Sequence, residues 1–278
     1  MVRYFDSPDT ALDEEFDVPF FSLRYQGNMN SFIDWSVFYF GAYAKDELRL
    51  LERILSRIDG PVFIDVGANV GQHSLFAARF AAKVVSVEPF PRVASRIRQK
   101  VEANNLTGTL VVCEIAFGDE NGTAVFHQPT GSNHGTGTLT ARRPTSGVDI
   151  NVSIRCGDDV LDEMGIDRVD LIKIDVEQFE SFVLLGLKAT LTRHRPLVFF
   201  EWSQARATVF RTAGLESLFP EGYSFYRFES PRPFLGVFNL PGFNLSLARG
   251  ERRGEFHKEC NYLAVPKERV TFVNEICR

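Results

Sequence analysis

In the run VFIDVGANVGQHS (Val62–Ser74), Asp65, Gly67, Asn69 and Gly71 fall at alternate positions between an apolar strand and a helix. Glycine gives the backbone positive φ and lets a ligand come close, and asparagine tolerates the left-handed region better than most residues. Such a junction suits a nucleotide-like ligand. A dinucleotide fingerprint would need glycine where Asn69 and Gln72 stand, and a phosphate loop would need GK[ST] where the chain reads GQH. Missing both phosphate patterns, the turn points to a nucleoside ligand without a pyrophosphate. The next strand ends in SVEP and sets Glu88 at an offset suited to accepting both ribose hydroxyls of an adenosine group. Asp175 after VDLIKI and Glu201 in PLVFFEW extend the pattern, so that Asp65, Glu88, Asp175 and Glu201 each end a separate predicted strand. A core position rejects carboxylates, which favours a ligand beyond the strand ends. For any single one of the four, capping the following helix is the plainer role.

The elements that must position these residues alternate. PVFIDV, KVVSVE, LVVCEIA, VDLIKID and PLVFFEW read as strands, with HSLFAARFAA, PRVASRIRQKVEANN and EQFESFVLLGLKATL as helices between them. Strands apolar throughout, separated by helices, indicate a parallel sheet covered on both faces. Before them DELRLLERILSRI puts Leu48, Leu51, Leu55 and Ile58 on one helical face, with Asp46 as its N-cap. Residues 1–45 read as an aromatic lid on a main domain spanning 46–278. That domain carries a hairpin and loop insert at about 119–157 and a second insert at about 229–258, while YSFYRF and NYLAVP form a closing antiparallel pair. The Gly/Ser/Thr-rich stretch from Thr130 to Thr140 has the composition of a mobile loop able to close over a ligand.

Composition narrows the function classes. The 278 residues are 44% hydrophobic and 24% charged, enough for one large α/β domain with appendages. A net charge of −5 without a basic run argues against a nucleic-acid partner. The acidic N-terminus is not a signal peptide, and the sequence holds no apolar run of ~20 residues, so neither export nor membrane insertion is expected. Four cysteines without CxxC spacing suit reduced thiols in the cytoplasm. A homo-oligomer is compatible with the sequence.

Taken in order, FIDVGANVGQHS, VVSVEP, EIAFGDENG, DLIKIDVEQFE and VFFEW resemble the FkbM family of S-adenosylmethionine-dependent methyltransferases over about residues 45–205. The resemblance implies the class I methyltransferase fold: a Rossmann-like α/β sandwich with a seven-stranded, mostly parallel sheet, a C-terminal antiparallel pair and helices on both faces. It implies S-adenosyl-L-methionine as cofactor. Asp65, Gly67, Asn69 and Gly71 would surround its methionine part, Glu88 its ribose, and Ala116, Phe117 and Asp119 its adenine. It also implies an O-methyltransferase acting on a sugar, glycan or polyhydroxylated metabolite. An N-methyltransferase of an amino sugar or peptide, and a catalytically silent adenosine-binding module, are the rival readings. An amine-directed N-P-P-[YF] motif is absent from the fourth strand, and the cofactor motifs are intact. Asp175, Glu177 and His134 are the candidate bases for a hydroxyl proton, with His73 behind the glycine turn a further one. No zinc-ligand spacing occurs, so no metal is expected; Asp175 and Glu201 are the pair that would hold a magnesium ion. The family's D-V-E-G-x-E reads DVEQFE here, with Gln178 in the glycine position. That added bulk reshapes the acceptor side.

Overall fold

The computed structural model describes residues 13–129, 147–202, 214–230, 242–247 and 260–277. In chain order the strands are β1 (Glu15–Phe20), β2 (Leu23–Asn28), β3 (Val62–Val66), β4 (Lys83–Val87), β5 (Leu110–Cys113), β6 (Ala116–Gly118), β7 (Gly122–Pro129), β8 (Gly147–Cys156), β9 (Leu171–Ile174), β10 (Leu197–Trp202), β11 (Tyr223–Glu229), β12 (Asn244–Leu247) and β13 (Cys260–Pro266). The helices are α1 (Phe32–Phe40), α2 (Lys45–Leu55), α3 (Gln72–Ala77), α4 (Pro91–Ala103), α5 (Gly157–Glu163), α6 (Glu180–Gly186), α7 (Lys188–His194) and α8 (Val270–Ile276). Among the described residues no helix is long and apolar enough to cross a membrane.

Eight strands form the main sheet, in the order β12-β11-β13-β10-β9-β3-β4-β5. The pairs from β10 through β5 are parallel, and β13 lies antiparallel to both β10 and β11. This is the class I methyltransferase fold, with β11 and β13 the antiparallel pair foreseen from YSFYRF and NYLAVP. Seven strands are exceeded by one, because Asn244–Leu247 of the second insert adds an edge strand to β11.

Side chains alternate across a strand, so each strand feeds two cores. Phe63, Val84, Leu171, Leu197, Phe199 and Leu263 pack on one face with residues of α1, α2, α3, α4, α8 and the β1–β2 hairpin. Ile64, Val85, Ile172, Val198, Phe200 and Ala264 pack on the other with α5, α6 and α7. In α2, Leu48, Leu51, Ile54 and Leu55 are buried, each contributing roughly 1.5–3 kcal/mol. Its N-cap is Ala44 at φ +44, not Asp46, which sits in the first turn and accepts from Arg49 Nη1 at 2.9 Å.

Two predicted runs are broken. LVVCEIA splits at Glu114, which turns out to pair with Arg98 at 2.6 Å; the chain then leaves the main sheet and β6 joins β8 and β7 in a small sheet of its own. The helix predicted over 177–191 starts later and divides into α6 and α7. Gly186, at the division, lies against the Gly118 carbonyl, which would be 1.8 Å from any Cβ there.

Candidate active site

The β3–α3 turn is tied to the end of β4. The amides of Gly67 and Ala68 donate to the Val87 carbonyl at 2.9 and 3.0 Å, and the Asn69 amide donates to Glu88 Oε2 at 2.9 Å. Gly67 has φ +78, and a Cβ there would lie 1.9 Å from the Asp175 carbonyl oxygen. Asn69 adopts the left-handed conformation, φ +50, and its Oδ1 accepts from the Val70 amide at 2.8 Å. Gly71 caps α3 at φ +81 with Ile97 of α4 pressed against it, a Cβ falling 2.9 Å from that side chain.

Beyond these strand ends lies a cavity of about 330 Å³. β3 stands where the strand order reverses, with β4 on one side and β9 on the other, and open α/β sheets hold their ligands at that crevice. Gly67, Ala68, Asn69 and Glu88 form one wall, Ala116, Phe117 and Phe179 another. Phe32, Ile33 and Tyr43 close it from the N-terminal segment, and Phe32 and Tyr43 meet edge to face at 5.6 Å.

Glu88 is 7% exposed, and its two oxygens accept from the amides of Asn69 and Phe90. Burial pushes its carboxyl up to about 7, although both amide hydrogen bonds pull the other way.

At the far end the floor continues one face of the sheet. In register, Asp65 lies between Ser86 and Lys173, and Glu201 opposite Asn261. Lys173 is 4% exposed and donates to Asp175 Oδ2 at 3.0 Å. Burial disfavours its charge, yet the carboxylates of Asp175, Asp65 and Glu47 outweigh this and raise its pKa. Asp175 sits deep, but 47% of its side chain opens to the cavity. Burial works to raise its pKa; the Lys173 charge and hydrogen bond, then His73, win and hold it below the usual carboxylate range. Glu177 and Gln178 follow at φ +51 and +81, in a turn whose amides at 176 and 178 donate to Glu180 Oε1.

On the roof, Glu47 of α2 receives Asn261 Nδ2 on Oε1 at 3.0 Å, while its Oε2 lies 3.2 Å from His73 Nε2. Gln72 clamps the Tyr43 backbone through two hydrogen bonds, 2.7 and 3.1 Å.

The chain matches the Methyltransferase FkbM domain over residues 65–225. It belongs to the FkbM methyltransferase family. It is 30% identical over 175 residues to 2-O-methyltransferase NoeI of Sinorhizobium fredii, a segment that is 56% of this chain and 70% of that protein. Against 31-O-demethyl-FK506 methyltransferase FkbM of Streptomyces tacrolimicus it is 28% identical over 156 residues, 46% of this chain and 60% of the relative. The crystal structure of methyltransferase FkbM from Methylobacillus flagellatus superposes with a TM-score of 0.42 at 16% identity, covering 74% of this chain and 44% of that one.

The cofactor of this FkbM-family chain is S-adenosylmethionine, and the donor set fits it. Glu88 offers acceptors for hydroxyls, and the carboxylates of Glu47, Asp175, Glu177 and Glu201 line the cavity against the single ammonium of Lys173 among the described residues, which suits a cation. Of the residues named from sequence, Gly67, Asn69, Glu88, Ala116, Phe117, Asp175 and Glu177 line the cavity, together with His73 and Glu201.

Three do not. Asp65 is fully buried beneath it, with Oδ2 accepting from Ser74 Oγ at 2.6 Å. Gly71 is taken up by its contact with Ile97, and Asp119 is exposed where β6 ends. His134 and the Thr130–Thr140 loop lie outside the described residues. No group of three or more metal-ligating side chains gathers among the described residues.

Sequence reading missed Lys173, Glu47, Tyr43 and Asn261. For Lys173 alone a signal exists in the strand alternation: Leu171–Lys173 repeats Phe63–Asp65, one apolar position followed by a polar one on the same face.

Proposed function

We propose that this protein transfers a methyl group from S-adenosylmethionine to a hydroxyl of a sugar, glycan or polyhydroxylated metabolite. The observation that carries it is the cavity at the strand-order reversal, with Glu88 at one end and the Lys173–Asp175 pair at the other. The two curated relatives described above are O-methyltransferases by name.

Bound there, the cofactor supplies an electrophilic methyl on a sulfonium. Glu88 accepts from the ribose hydroxyls. The turn from Gly67 to Asn69 faces the methionine part, and Ala116 and Phe117 border the adenine. Asp175, fixed by Lys173, accepts a hydrogen bond from the acceptor hydroxyl and orients it, with Glu177 beside it. Alignment and exclusion of water carry most of such a reaction, so Phe32, Ile33 and Tyr43 form the wall that keeps solvent out.

The test is transfer of label from methyl-labelled S-adenosylmethionine to a panel of methyl hexosides, methyl 6-deoxyhexosides, free oligosaccharides and their amino-sugar counterparts. Label retained on oxygen after mild acid supports the reading. Label found only on nitrogen, or cofactor binding without transfer to any member, defeats it.

A further inference from the structure

We propose that His73 is the catalytic base that takes the acceptor hydroxyl's proton, with Glu47 as its positioning residue; this rests on the hydroxyl-acceptor reading above. His73 stands in the first turn of α3, is 6% exposed, and still lines the cavity. Its Nε2 is buried, 3.2 Å from Glu47 Oε2 and off the line for a hydrogen bond. Glu47 is itself fixed through Asn261. Three separate elements, α2, α3 and β13, therefore converge to hold one imidazole at the cavity wall.

The alternatives are spoken for. Asp175 is bonded to Lys173 and held below the usual carboxylate range, and a base whose affinity for a proton is depressed is a weak one. Glu88 accepts from two backbone amides. The charged and titratable groups that share the wall with His73 are Glu47 from α2, Lys173 from β9, Asp175 and Glu177 beyond it, Glu201 from β10, Glu88 beyond β4 and Tyr43 before α2. Among these His73 is the imidazole, the side chain that most often serves as a general base.

In the step, an oxygen lone pair of the acceptor forms the new C–O bond to the methyl carbon. The C–S bond breaks and its electron pair returns to sulfur, which leaves as a neutral thioether. The hydroxyl proton passes to Nδ1 of His73, Glu47 stabilises the resulting imidazolium, and the proton is released to solvent afterwards.

Two measurements on the full chain decide this. In the complex with S-adenosylhomocysteine, diethyl pyrocarbonate should carbethoxylate His73, read by peptide mass, if the cavity that His73 lines keeps its acceptor end open. With S-adenosylmethionine saturating at every pH, His73→Gln should lower kcat by ~10²-fold or more on the best glycoside of the panel and remove the fall of kcat at acid pH, while the S-adenosylhomocysteine Kd stays within about twofold. Glu47→Gln should move that acid limb to lower pH, since loss of the carboxylate disfavours a protonated ring; a merely structural Glu47 would leave the limb in place. An unmodified His73, a kcat within about threefold of the wild type, or an acid limb that survives His73→Gln overturns the proposal. Absence of transfer by the wild type itself defeats the hydroxyl-acceptor reading instead, and the modification result still stands for or against His73.

Discussion

Glu88 is asked for two things that oppose each other. Its burial favours the neutral acid and raises the carboxyl from 4.5 to about 7, whereas ribose hydroxyls, as donors, favour the ionised form. Cofactor binding should therefore release a proton near neutrality, and S-adenosylhomocysteine should bind about tenfold more tightly at pH 8 than at pH 6. Calorimetry in buffers of different ionisation enthalpy measures both, and a pH-independent Kd, or one unchanged in Glu88→Gln, would count against the ribose role. Without ligand the sign reverses: the folded pKa lies above the unfolded one, so Glu88 costs stability as pH rises from 4.5 to 7, by about 3 kcal/mol. Asp175 makes a second test. Asp175→Asn deprives the buried Lys173 of its nearest carboxylate and removes the charge that orients the acceptor. Turnover should fall ~10²-fold with little change in cofactor affinity, and normal turnover in a destabilised variant would reduce Asp175 to the partner of Lys173. Legibility at this scale followed locality. Gly67, Asn69 and Glu88 could be read because one turn and the next strand bring them together. Glu47, Lys173 and Asn261 come from three distant segments, and only the finished sheet, with α2 packed on it, brings them to one cavity. Gly67 holds the positive φ expected of it, and it has a second role. It makes room for the Asp175 carbonyl, so a valine there breaks the turn whether or not cofactor is bound.

Among the elements, the β9–α6 turn stands out, because Glu177 and Gln178 both hold positive φ without a glycine. A non-glycine residue in the left-handed region costs roughly 1–2 kcal/mol, part of which glycine returns through the entropy of the unfolded chain. Gln178→Gly should thus stabilise the protein by ~1 kcal/mol, raising Tm by a few degrees in thermal unfolding; a lower Tm would mean that the Gln178 side chain contributes more than its backbone loses. The strands whose apolar runs are unbroken were legible from sequence, as was α4 with Pro91 in its first turn. What was not legible depends on neighbours. Glu114 ends β5 by pairing with Arg98 of α4, and Gly186 divides a helix that its own residues favour because Gly118 already occupies the space. The left-handed Ala44 that starts α2 has no counterpart in helix-capping preference, and the Gln72 clamp on Tyr43 next to it is a tertiary contact.

At the scale of the whole molecule, the described part of the N-terminal segment shares a core with the sheet. Phe20, Tyr25 and Val37 pack in one cluster with Leu51 of α2, Phe76 of α3 and Ile97 of α4. Beneath them Asp34, fully buried, accepts from the Tyr25 hydroxyl at 2.7 Å and the Asn28 amide at 3.0 Å. Lys100 and Arg96 of α4 approach it at 4.0 Å, and burial lowers the Lys100 pKa against the pull of that carboxylate. Asp34 follows Phe32 and Ile33, so this buried cluster also sets the wall of the cavity. Asp34→Asn would leave two cations without their carboxylate. Removing one partner of a buried pair costs about 3–5 kcal/mol, a large share of a typical folding stability of about 5–15 kcal/mol. Because the core is shared, that loss should lower a single unfolding transition for the entire chain. Of the two tryptophans, Trp35 lies in α1 and Trp202 in β10, so Trp202→Phe leaves fluorescence reporting on the N-terminal segment alone. In that background, Asp34→Asn should give fluorescence and far-ultraviolet dichroism curves that move down together. A fluorescence transition that precedes the loss of helix signal would show instead that the segment melts off an intact sheet, and the wall over the cofactor would then be a separate folding unit.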